Sequence, residues 1–470
     1  MLFFAAAAAS GRHAPAPAAE DRETDPLVLR KLERFQDWKF GLMMHWGPYS
    51  QWGVVESWSI CSEDEPWCRR SIPDYVEYKR RYEELPKTFN PAKFDPDAWA
   101  RAAKAAGMRY VVHTTKHHDG FCMFDTRRTD YRITHPSVPF SKNPRANVVK
   151  EIFDAFRREG FGLGAYFSKP DWHSPDYWAP EWATPDRNVN YDTDRYPERW
   201  QKFKDFTYAQ IEEIMTGYGP LDILWLDGGW VRPYPPLPPG LKGLIKQPHN
   251  QDIDMPRIAA MARGHQPGLI VVDRAVAGRY ENYRTPEQEV PEKPLPYLWE
   301  TCMTMGNSWS YVPDDKYKPT RRLVHLLVDI VSKGGNFLLN IGPSPEGELP
   351  PESLVRLREI GDWMRVNGEA IYGTRPVPPH KEAKICYTRR PDGTIYALYL
   401  ADEKETAPPS KIMLVSHSPG PKGKIEMLGL DGAALKWEAV GNGALVEIPA
   451  SARKKPPCGH AWTLKISPAA

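Results

Sequence analysis

The chain has 470 residues, more than one ordinary domain holds, so a large domain with a small appendage is expected. Its 62 basic and 60 acidic residues nearly cancel, which leaves no footprint for nucleic acid or an anionic membrane surface and points to a neutral ligand. No run approaches the ~20 apolar residues of a membrane span, and the 17 Trp and 22 Tyr suit sugar stacking even if most rings are core.

The opening MLFFAAAAAS resembles a signal-peptide core without its basic start, which implies a secreted or periplasmic protein. Residues 1–26 are expected to form a disordered leader. From about residue 38, short apolar strands alternate with amphipathic helices. Phe40–His45 is the first strand. Asp95 caps a helix with Pro96 at its first position and Trp99, Ala102, Ala103 and Ala106 on one face. Gly107 stops that helix before the strand Tyr110–His113. Helical spacing of Val149, Ile152, Phe153 and Phe156 leads through Gly160 to the strand Gly162–Phe167. A long helix from Pro197 precedes the strand Asp222–Leu226, and a helix near Ile253–Arg263 precedes Leu269–Val272. Leu295–Cys302 reads as a strand, and the helix Arg321–Lys333 leads to a last strand, Phe337–Ile341. Seven βα repeats are legible, and an eighth is expected within the irregular residues 47–90.

Beyond residue 374 the helical periods give way to alternating strands around turns such as Pro391-Asp392-Gly393, as in a small antiparallel β-sandwich. The expected domains are therefore a leader (1–26), a parallel α/β unit (27–373) and a β-sandwich (374–470). Cys61 and Cys68 could close a small disulfide loop in an exported protein, or remain thiols.

Polar and aromatic residues gather where strands end: His45-Trp46, Lys116-His117-His118-Asp119, Tyr166, Asp227, Asp273-Arg274 and Asn340, with Trp309 in a following loop. A (β/α)8 barrel brings all of these to one face, whereas an open sheet converges only those at its switch point. Asp227 ends an apolar strand ahead of two glycines that let a ligand approach, and the Pro-rich run after it opens no helix for it to cap. A carboxylate so placed suits a nucleophile at an anomeric carbon, and a second carboxyl must act as acid and base. Glu281, Glu287, Glu289 and Glu292 are all candidates for that second role. His45, His117 and His118 could ligate a metal. Adjacent residues on an extended chain point opposite ways, however, and no HExxH or Cys-pair spacing accompanies them, so no metal is expected. Gly160-Phe161-Gly162-Leu163-Gly164 precedes its strand, and neither a Walker loop nor a GxSxG elbow is present, so no cofactor is expected either.

The segments Phe40-Gly41-Leu42-Met43-Met44-His45-Trp46-Gly47-Pro48-Tyr49-Ser50 and Thr115-Lys116-His117-His118-Asp119-Gly120-Phe121-Cys122-Met123-Phe124-Asp125 resemble those of the α-L-fucosidase family of retaining glycoside hydrolases. Trp225-Leu226-Asp227-Gly228, Thr285-Pro286-Glu287-Gln288, Trp299-Glu300-Thr301-Cys302 and Asn336-Phe337-Leu338-Leu339-Asn340-Ile341-Gly342-Pro343 extend the resemblance in order over residues 38–375. It implies a (β/α)8-like TIM barrel followed by the β-sandwich, with Asp227 as nucleophile and Glu287, ahead of Glu289, as acid/base. His45, His117 and His118 are then donors to fucose hydroxyls, Arg274 neighbours the nucleophile, and Trp46, Tyr166 and Trp309 join the pocket. Glu56 and Trp58 resemble the family's Glu–Trp pocket element, but here Ser57 separates the two residues. The implied partner is a fucosylated oligosaccharide or glycoconjugate. The alternatives are a barrel glycosidase for an α-L-galactoside and a non-catalytic fucose-binding protein, the latter disfavoured by the presence of both Asp227 and Glu287.

Overall fold

The computed structural model describes residues 22–62, 68, 70–184, 186–234 and 248–468. Of the leader expected at residues 1–26, residues 1–21 lie outside the described residues. Its last stretch is ordered: Glu23 accepts hydrogen bonds from Arg263 Nη2 (2.7 Å) and Asn282 Nδ2 (3.1 Å). Asp25 then caps helix α1 (Pro26–Trp38), accepting from the Leu27 amide.

Seven parallel strands follow: β1 (Phe40–Met44), β2 (Tyr110–Lys116), β3 (Gly162–Ser168), β4 (Ile223–Asp227), β5 (Ile270–Asp273), β6 (Glu300–Thr304) and β7 (Asn336–Ile341). They curl into one sheet of order β5-β4-β3-β2-β1-β7-β6. Around it lie α2 (Tyr75–Glu83), α3 (Pro96–Ala105), α4 (Val148–Arg158), α5 (Pro197–Gly217), α6 (Met255–His265), α7 (Thr320–Ser332) and α8 (Pro351–Asn367). With helices outside and side chains filling the interior, the strands are buried on both faces, hence their continuous apolar runs. Asp95 caps α3 by accepting from the Ala98 amide at 3.1 Å, and the expected face of α4 is buried.

The eighth position is not filled from residues 47–90. Their described part holds short 3-10 turns and α2, with no strand. The gap between β5 and β6 is closed by residues 280–288, an irregular segment bonded to both edges. The amides of Asp273 and Asn282 exchange bonds with the carbonyls of Tyr280 and Val271 (3.2 and 3.1 Å). On the other side, Arg284 N donates to Leu298 O, Glu300 N to Arg284 O and Gln288 N to Cys302 O (2.9, 2.8 and 3.0 Å). β6 starts five residues later than the sequence implies because Pro296 cannot donate to a ladder.

The lower mouth of the barrel is plugged by α1. Phe35 stacks on Tyr283 (4.4 Å) and meets Tyr110 edge-on, and Trp38 stacks on Tyr110 (5.5 Å). Gly41 makes room for that column, since a Cβ there would lie 2.5 Å from the Tyr110 ring. Above it the buried Glu300 carboxylate accepts from Tyr110 Oη (2.6 Å) and Trp225 Nε1 (3.1 Å).

The C-terminal strands are β8 (Arg375–Glu382), β9 (Ile385–Arg389), β10 (Ile395–Leu400), β11 (Lys411–Leu414), β12 (Lys424–Met427), β13 (Trp437–Val440), β14 (Gly443–Glu447) and β15 (Ala461–Ser467). They form antiparallel sheets of order β12-β15-β10-β9-β8 and β11-β14-β13, which share a core including Tyr387, Leu414, Val446 and Trp462. This sandwich docks on the barrel's helices: Trp363 Nε1 donates to Ala461 O (3.0 Å) and Thr463 Oγ1 to Asn367 Oδ1 (2.7 Å). β8 looks like a linker in sequence because its prolines suit only an edge strand, and an edge is where it lies.

Candidate active site

Asp227 ends β4 at the C-terminal mouth, where the chain turns at Gly228. Gly228 adopts φ +90°, and a Cβ there would fall 2.4 Å from Pro170 Cδ, so the turn requires glycine. The Asp227 carboxylate accepts from Tyr166 Oη (2.6 Å), Arg274 Nη1 (3.1 Å) and the Gly228 amide (2.8 Å). Burial alone would raise its pKa. The Arg274 charge, His118, the Tyr166 hydroxyl and the Gly228 amide outweigh burial and hold the group well below the usual carboxylate range. Asp227 is therefore an anion with its lone pairs fixed in direction.

Arg274, just beyond β5, packs over the Trp225 ring (5.3 Å) and reaches both ways, with Nη1 on Asp227 and Nη2 on Glu287. Two carboxylates from different elements thus share one guanidinium. Glu287 arrives on the irregular closing segment, which places a loop residue on the barrel rim through the bonds around it. Glu289 is also exposed, but Gln288 between them has φ +59°, so the stretch is not extended and the two carboxyls need not share a side.

A wall of imidazoles faces these carboxylates. His45 Nδ1 lies 2.8 Å from Asn340 Oδ1, and Asn340 Nδ2 donates to Trp309 O (2.6 Å). His117 Nδ1 lies 2.6 Å from Ser57 Oγ, and the rings of His117 and Tyr166 are stacked 5.6 Å apart. His118 Nε2 is 3.7 Å from Asp227 Oδ2. Burial pushes His45 and His118 down to about 4 and His117 well below its ordinary value, so all three are neutral near neutral pH. Glu56 is buried with Oε2 unbonded among the described residues, and burial pushes its pKa up to about 8.

Aromatic rings surround these imidazoles. Trp58, Trp172 and Trp230 pack round His118 at 5.6, 5.0 and 5.3 Å, and Trp309 lies 5.1 Å from His45. Trp172 and Trp230 were not singled out in the sequence. They follow strand ends by a few residues, where spacing alone does not separate pocket from core. Ser57 and Asn340 hold imidazoles instead of lining the pocket.

Two expectations need correction. Trp46 does not face the pocket. His45 points inward, so its neighbour points outward, where Trp46 packs against Trp99 (5.1 Å) and Phe94 (5.4 Å) and donates from Nε1 to Ser344 O. His117 and His118 do not point opposite ways. β2 ends at Lys116 and the chain turns, with Gly120 N bonded to His117 O, which brings the two rings to 4.3 Å. His117, His118 and Asp227 consequently offer ligand atoms within 4.8 Å of one another, a set that could hold a cation. The Asp227 oxygens are already engaged by Tyr166, Gly228 and a guanidinium whose charge opposes a metal ion. Cys61 and Cys68 are thiols, with Cys68 Sγ donating to Trp58 O (3.0 Å).

Known proteins are similar to this chain in sequence and fold. A family model described as Alpha-L-fucosidase matches residues 8–369, and one described as Alpha-L-fucosidase C-terminal domain matches 379–467. The chain is 31% identical to α-L-fucosidase isoenzyme 1 from Paenibacillus thiaminolyticus, whose structure superposes with a TM-score of 0.74 over 94% of this chain and 99% of that one. It is 26% identical to Thermotoga maritima α-fucosidase solved with fucose (TM-score 0.70; 92% and 96% covered). It is 28% identical to human plasma α-L-fucosidase over 96% of this chain and 94% of the relative. The chain belongs to the α-L-fucosidase family of glycoside hydrolases.

Proposed function

We propose that this chain is a retaining, exo-acting α-L-fucosidase that releases terminal fucose from glycans or glycoconjugates by double displacement. The observation that carries the reading is the pair of carboxylates on one guanidinium, Asp227 held as an anion at a strand end and Glu287 on the irregular closing segment. Asp227 Oδ attacks the anomeric carbon while Glu287 gives a proton to the departing glycosidic oxygen. A bond forms from Asp227 to the sugar as the glycosidic bond breaks. Glu287, now a carboxylate, then takes a proton from water, which displaces Asp227 and restores the anomeric configuration. Glu287 must leave Arg274 to reach the glycosidic oxygen, so substrate binding and that ion pair compete for it.

The remaining residues bind the sugar. Neutral imidazoles of His45, His117 and His118, with Glu56, meet the hydroxyls. Trp58, Trp172, Trp230 and Trp309 supply apolar walls for a 6-deoxy sugar and its methyl. The apolar opening segment supports export of the enzyme, which N-terminal sequencing of protein recovered from culture medium tests. The mechanism is tested by following an aryl α-L-fucoside by NMR. α-L-Fucose should appear first, and Asp227→Gly should abolish turnover while preserving the melting temperature. First appearance of the β anomer would exclude double displacement.

A further inference from the structure

The rings of His45 and His117 are neighbours, with centroids 5.3 Å apart, and neither Nε2 has a protein partner among the described residues. What each Nε2 offers a ligand depends on which nitrogen carries the proton, and the surroundings decide that in both cases.

Ser57 is fully buried at the start of a 3-10 turn. Its Oγ accepts the Asp119 amide at 3.0 Å and lies 2.6 Å from His117 Nδ1. If Nδ1 also donated to Oγ, the hydroxyl proton would be left without an acceptor among the described residues, a costly state for a buried group. The hydroxyl therefore donates to Nδ1, and the imidazole proton resides on Nε2. His45 is held the other way. Asn340 donates from Nδ2 to Trp309 O, which turns its Oδ1 toward His45 Nδ1. An oxygen at that position requires a proton on Nδ1 and leaves Nε2 bare.

We infer that Ser57 is a positioning residue that fixes His117 as the Nε2–H tautomer, opposite to the tautomer Asn340 imposes on His45. One N–H and one bare nitrogen then confront a single hydroxyl, which accepts from His117 and donates to His45. A deoxy or O-alkyl sugar at that position cannot satisfy both. Burial holds both rings neutral, which keeps this donor–acceptor pair intact. Ser57 is also the residue that interrupts the Glu–Trp element in this sequence, so the device belongs to the feature in which the chain departs from the family pattern. The identity of the hydroxyl as one of fucose rests on the proposed function, whereas the tautomers do not.

Two measurements on the full chain test the inference. Long-range 1H–15N spectra of histidine-labelled protein, with His117 assigned by its loss in His117→Asn, should show Nε2–H in the wild type and a tautomer mixture in Ser57→Ala. An Nδ1–H signal for wild-type His117 overturns the inference whether or not the enzyme turns over, and needs no folded variant of Ser57. Kinetics on an aryl α-L-fucoside and its 2-, 3- and 4-deoxy analogues give the second readout. Ser57→Ala should lower kcat/KM on the parent roughly tenfold, the scale of one lost buried hydrogen bond. That loss should vanish on one monodeoxy analogue and persist on the others, with Ser57→Thr recovering activity. An equal loss on all four substrates would mean that Ser57 merely supports the fold. Failure of the wild type to cleave any aryl fucoside would instead refute the functional reading and leave the spectroscopic result standing.

Discussion

Replacing Arg274 by Met should move the acid limb of the kcat/KM profile upward, because Arg274 is the largest influence keeping Asp227 ionised against burial. Arg274 Nη1 stands 3.1 Å from Asp227 Oδ1, and their side chains are only 17% and 13% exposed. Opposite charges about 4 Å apart interact by about 4 kcal/mol at an effective dielectric near 20, equivalent to about 3 pH units. The bonds from Tyr166 and Gly228 survive the substitution, and water reaching the vacated site will screen part of the loss, so a shift of about 2 units is expected. The sign follows from the two opposing influences. Arg274 favours the carboxylate and burial favours the acid, so deletion lets Asp227 bind its proton at higher pH. The wild type should be limited only at strongly acidic pH, and Arg274→Met should lose activity within the readily measured range. Arg274→Lys keeps the charge and should shift less. The assay is initial-rate kinetics on an aryl α-L-fucoside across pH, with melting temperature as the control for folding. An unmoved acid limb in folded Arg274→Met would refute the electrostatic account of Asp227.

Glu56 binds its proton more tightly when folded, since burial lifts its pKa from 4.5 to about 8, so the wild type loses stability as pH climbs through that window. Glu56→Gln should therefore raise the melting temperature at the alkaline end and not at the acid end, and an equal change at both would show that the carboxyl's charge is not the cause. Trp46→Ala should cost about 3–5 kcal/mol of stability through its core cavity while changing KM little; a raised KM with unchanged stability would return Trp46 to the sugar site. Exhaustive chelation should leave activity intact, and a loss reversed by zinc would reassign His117, His118 and Asp227 as ligands. Glu287→Ala should slow substrates with poor leaving groups far more than activated aryl fucosides and should yield an α-fucosyl azide when azide is added. The same behaviour in Glu289→Ala instead would transfer the acid/base role.

Elements with strong periodicity were readable from sequence alone. The face of α4 is hydrophobic at helical intervals, and the strands of the barrel are buried on both sides, so each registers as an apolar run between glycines. What escaped detection had its local signal overridden. The closing segment around Arg284 and Glu287 pairs with both β5 and β6 but carries charges and prolines in place of an apolar run, because it is held by backbone bonds while its side chains serve the rim. The eighth barrel position therefore carries no strand signal in the sequence, and residues 47–90, where the repeat pattern places it, hold no strand among the described residues. β8 was concealed by prolines that an edge strand tolerates, and α1 by its attachment to what looks like a leader, although Phe35 and Trp38 are needed to fill the barrel floor.

The site shows the same division at finer grain. Strand ends specify which residues reach the mouth, and so His45, Tyr166, Asp227 and Arg274 could be named from their positions. Direction is a different quantity. It alternates along a strand, which sends Trp46 into the core beside an inward His45, and it is lost where a strand stops, which lets His117 and His118 share a cavity despite being adjacent. Protonation is further removed still, because it depends on partners distant in sequence: Arg274 lies 47 residues from Asp227, Ser57 lies 60 from His117 and Asn340 lies 295 from His45. Residue type and spacing can nominate an imidazole or a carboxylate. Whether it acts as donor, acceptor or anion is decided by contacts that exist only once the barrel has closed, and this is why Asp227 is legible as a residue before it is legible as a charge.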